Sequence, residues 1–97
     1  MANLFLYISK SRRDFTRLRV ICTFGVGIKG ARGRVRNFPT AHDLEKALRD
    51  AGVPEHELNG PQQVLNTGLP TFIPVNSSTA RGLGVLENAK IPYRIAL

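Results

Sequence analysis

The sequence predicts an α+β domain: a small mixed β-sheet of about four to five strands, with two or three helices packed on one face. Three observations carry this expectation. Two apolar runs, LFLYI and LRVICTF, alternate with the period of two that a strand imposes. The run from Ala41 to Ala51 instead repeats its apolar residues at helical spacing. The other apolar runs are short and bounded by Gly and Pro, which suits a layered domain around one core. A chain of 97 residues supports a single globular domain over 1–97.

The first strand is expected over Asn3–Ile8. Leu4, Leu6 and Ile8 face one way and Phe5 and Tyr7 the other, so both faces are apolar and the strand is central. SKSRRDFTR, which follows, is a polar, basic connection. Leu18–Phe24 is the second strand. Leu18, Val20, Cys22 and Phe24 line one face; Arg17, Arg19, Ile21 and Thr23 line the other.

Residues 25–38 admit two readings. As a strand, Arg32, Arg34 and Arg36 alternate and form one cationic row. As a helix, Ile28, Ala31, Val35 and Phe38 form an apolar stripe, but Gly30 and Gly33 would each cost about 1 kcal/mol against alanine. Four glycines at 25, 27, 30 and 33 favour a hairpin whose returning strand covers 32–38.

A helix over 41–51 has Thr40 as its N-cap and Asp43 three residues on, a variant of the capping box. Ala41, Leu44, Ala47, Leu48 and Ala51 make its apolar face. Glu45 and Arg49 pair at i, i+4, and Gly52 ends it. Pro61 opens a short helix over 61–67. Thr71–Val75 is a short strand. Ser77 or Ser78 caps a helix running to about Asn88, weakened by Gly82 and Gly84. Ile91, Tyr93, Ile95 and Leu97 alternate as a last strand, which Pro92 assigns to an edge or to pairing on one side only. The last three elements suit a right-handed βαβ crossover.

Charge is the strongest functional signal. Through residue 39 there are nine Lys or Arg and one acid, Asp14; from 40 onward there are five Lys or Arg and six acids. Such asymmetry implies an anionic partner. Arg12, Arg13, Arg17, Arg19, Lys29, Arg32, Arg34 and Arg36 are the candidate nucleic-acid-binding residues. If the second and third strands pair, Arg17, Arg19 and the Arg32–Arg36 row share a face against a phosphate backbone. The planar guanidinium meets phosphate oxygens bidentately. Phe5, Tyr7 and Phe15 add surfaces on which unpaired bases stack. The alternatives are an adaptor docking on an acidic protein and a solvated basic face with no polyanion role. An exposed patch of Phe5, Tyr7 and Phe38 beside the cations would favour the protein partner.

Other motifs carry less. GVGIKG at 25–30 spells G-x-G-x-x-G after a strand, and Asp43 lies 18 residues past Gly25. The motif would have to open a helix, and the chain is short for the usual six-stranded sheet, so a glycine-rich hairpin is preferred. NSSTARG at 76–82 offers hydroxyls, a helix start and Arg81 to an anion, although serine caps are common without one.

Neither a catalytic residue, a metal site nor a cofactor is expected. His42 and His56 read as solvated, and EHE at 55–57 as a turn. The single cysteine, Cys22, points inward on its strand, compatible with a reducing cytoplasm. Leu4–Ile8 is too short for a signal sequence, and its cations follow it instead of preceding it. No run approaches the ~20 apolar residues of a membrane span.

Overall fold

The computed structural model describes residues 4–13, 16–24 and 31–86, with the backbone alone at 31–33. Among them, strand β1 (Leu4–Lys10) pairs antiparallel with β2 (Leu18–Phe24), and β2 with β3 (Ala31–Phe38). Residues 31–38 are therefore strand and not helix. The tip at 25–30 lies outside the described residues. Helices α1 (Ala41–Asp50) and α2 (Gly60–Thr67) follow, joined through a single 3-10 turn at Glu55–Glu57. Strand β4 (Thr71–Val75) then pairs antiparallel with β1, giving the order β3-β2-β1-β4. Helix α3 (Ser77–Gly82) comes last. This is an α+β arrangement of four strands and three helices. Every described pairing is antiparallel; the expected strand over 91–97, and the crossover it would complete, lie outside the described residues.

Alternation decides which face is covered. Leu6, Ile8, Leu18, Val20, Cys22 and Ile73 project to one side and are buried there with Leu44 and Leu48 of α1 and Val64 of α2. Burying a side chain of this size contributes about 1.5–3 kcal/mol, so this layer dominates the stabilising side. Phe5, Tyr7, Ile21 and Phe72 project to the other side. Thr23, opposite Phe5, is fully buried, so that side is covered at one end; toward Arg19 it is open.

Local chemistry explains the boundaries. The Asp43 N–H donates to Thr40 Oγ1 (3.1 Å), and that hydroxyl donates to the Asp43 carboxylate (2.9 Å). Gly52 and Gly68 take the positive φ that ends α1 and α2. Pro74 sits in β4, at the edge of the sheet formed by the described residues, where a missing N–H is tolerated. Two expectations need correcting. The cap of α3 is Asn76, whose Oδ1 accepts from the Thr79 N–H (2.8 Å), not a serine. The helix also stops at Gly82, well short of Asn88, because Gly84 turns to φ +80.

Candidate nucleic-acid interface

The bend after β1 gathers the first cations. The Ser11 N–H donates to the Arg17 carbonyl (2.9 Å), closing the connection at its base. The Arg13 N–H donates to Ser11 Oγ (3.2 Å). Arg12 and Arg13 thereby face Arg17 and Arg19 across a short span. With Ser11 and Asn37, these four arginines line a depression of about 520 Å³. No carboxylate is among the described residues lining it.

A second depression, of about 440 Å³, adjoins the first along the sheet. Its lining includes Tyr7, Ser9, Lys10, Ile21 and Val35, and it shares Arg12 and Arg19 with the first. The two form one continuous surface, cationic at the strand ends and apolar toward the middle of the sheet. Beyond it, the Tyr7 ring is tilted against Phe72 with centroids 4.9 Å apart, and Phe5 meets Phe72 edge-on at 6.5 Å.

The expected arginine row is not assembled as drawn. Register places Arg19 opposite Asn37 and Arg36 opposite Val20. Arg36 thus lies on the helix side of the sheet. Its Nη1 donates to the Leu83 carbonyl (2.6 Å), and its guanidinium sits 4.6 Å from the centre of the Phe38 ring. One residue of register separates the two outcomes, because a strand alternates faces. Between Val20 and Cys22 the ladder slips, pairing Cys22 with Arg32. Within the slipped stretch the Arg34 N–H donates to the Val85 carbonyl (3.1 Å). The Arg34 side chain is exposed. The Arg32 side chain, Lys29 and Phe15 lie outside the described residues.

The aromatic patch posed as a discriminator also forms differently. Phe38 is 4% exposed and on the helix side, whereas Phe5 and Tyr7 are half-buried on the open side. Sequence reasoning missed Phe72 and Asn37. The alternation of TFIPV, set against an inward Ile73, was the available signal for Phe72. Asn37 required the register.

The remaining candidates lie elsewhere. His42 is exposed in the first turn of α1, and His56 is exposed 3.7 Å from Glu57. Neither lines the arginine depressions. Cys22 is buried, and desolvation raises its thiol pKa, which disfavours a thiolate nucleophile. Among the described residues, no helix is long and apolar enough to cross a membrane. No family model matches the chain, and no curated protein or solved structure matches it.

Proposed function

We propose that the protein binds nucleic acid without catalysing a reaction on it, through the open end of its sheet. The observation that supports this is the set Arg12, Arg13, Arg17 and Arg19 around one depression. Converging guanidinium groups recruit phosphates by charge, and the release of counterions drives the association. Arg34, two residues from Arg36 on β3, lines neither depression and is secondary in this reading. Arg36, Arg32 and Lys29 are secondary as well. Cytoplasmic residence, where the lone thiol stays reduced, belongs to the same proposal.

Labelled RNA and DNA oligomers followed by fluorescence anisotropy over a salt series provide the test. Four phosphate contacts on a single strand give a slope of log affinity against log salt of about −3. Replacing Arg12 and Arg13 by alanine flattens it by about 1.4. Absence of binding at low salt rejects the proposal. One observation favours the second reading, docking on an acidic protein: the apolar stretch of Tyr7, Ile21 and Val35 beside the arginines. That reading predicts binding to acidic proteins and none to oligonucleotides.

A further inference from the structure

We infer that the ligand of this face is single-stranded nucleic acid, with an unpaired base on the Tyr7 ring and its phosphates on Arg12 and Arg19. The inference rests on the nucleic-acid reading and narrows it.

Register supplies the first argument. Ser9 pairs with Arg19 and Tyr7 with Ile21, so Tyr7 and Arg19 are diagonal neighbours on one face. Such neighbours lie about 7–8 Å apart. Tyr7, Arg12 and Arg19 also line the same depression, so ring and cations address one ligand. Contact with Phe72, itself against Phe5, holds the Tyr7 ring in place before any ligand arrives. An aromatic ring fixed in this way accepts a base at little further cost in entropy.

Ligand chemistry supplies the second. A duplex keeps its base faces stacked inside and offers this surface only phosphates. Acidic side chains alone satisfy the arginines and leave the ring face to solvent. A single strand presents both a regular line of negative charge and flat apolar bases, and it matches both halves of the surface.

The experiment compares three labelled probes of equal length at low salt: an oligothymidylate, an abasic oligomer and a duplex. The oligothymidylate is expected to bind most tightly. Tyr7→Leu, which keeps apolar cover but removes the ring, weakens its binding roughly ten- to hundred-fold. That variant leaves abasic binding and the salt slope unchanged, and Tyr7→Phe restores affinity. The chain has no tryptophan and two tyrosines, Tyr7 and Tyr93, so a Tyr93→Phe background makes Tyr7 the sole reporter. Its fluorescence is then quenched by the oligothymidylate and not by the abasic strand. Equal affinity for all three probes without quenching overturns the stacking inference while nucleic-acid binding stands. Binding to none of them removes both. Should Tyr7→Leu fail to fold, the comparison of base-bearing and abasic strands on the unaltered chain decides.

Discussion

Arg36 shows how one side chain changes role with register. In sequence it is the third member of an alternating cationic row. In the fold it reaches across the edge of the core to the Leu83 carbonyl and lies over Phe38. Arg36→Met is therefore expected to lower stability by about 1 kcal/mol, from one charged hydrogen bond and one cation–π contact at a partly exposed site. A urea midpoint reads that loss. Its effect on the salt slope of nucleic-acid binding should be smaller than that of Arg19→Ala. The pattern R-x-R-x-R was legible as a strand; the face was not, because alternation fixes parity within a strand and says nothing of the partner opposite. Cys22 gives a second test at this scale. Burial holds its thiol pKa above the ordinary value, so the unfolded chain ionises first. Its contribution to stability is full below the ordinary thiol range and falls as pH rises through it. Denaturant midpoints of the wild type and Cys22→Ala should converge at alkaline pH, relative to their separation at neutral pH.

Elements with local signals were read closely, and those that depend on distant contacts were not. Helix α1 has its cap, its apolar spacing and its terminating glycine within a dozen or so residues, and each appears where expected. Removing the cap by Thr40→Ala should cost about 1 kcal/mol, seen in a thermal melt. β4 was legible for the same reason. α3 was overextended because the sequence reading placed a serine at its cap and treated Gly82 and Gly84 as weaknesses inside the helix. Gly84 is instead its turn-off, and the left-handed backbone there disfavours any side chain. Gly84→Ala should therefore cost roughly 1 kcal/mol from backbone strain alone, since the added methyl would meet Arg36 only at ordinary contact distance, 3.5 Å. The slip between β2 and β3 had no legible signal. Its stabilising partner, Val85, lies about fifty residues further along the chain.

At the scale of the molecule, the described acids all lie in one layer. Asp43, Glu45, Asp50, Glu55 and Glu57 belong to α1 and the turn after it, on the covered side of the sheet. Arg12, Arg13, Arg17 and Arg19 gather at the other side. A polyanion approaching such a molecule is turned toward the arginine end before contact. Replacing Arg12 and Arg13 by alanine should slow association in stopped flow at low salt, with the difference shrinking as salt is raised. The core layer and the asymmetry of charge were both legible from alternation and counting; the meeting of the two ends of the arginine cluster was not, because it depends on how Ser11 and Arg17 close the bend. The bond from Arg34 to Val85 has one more consequence. It occupies the outer rim of β3 at the point where that strand is already irregular, while Pro74 interrupts β4 on the opposite rim. A peptide that binds by lending a sheet one more strand needs a continuous line of open backbone groups. Among the described residues neither rim offers one along its full length, which favours a ligand lying across the strands over one added beside them.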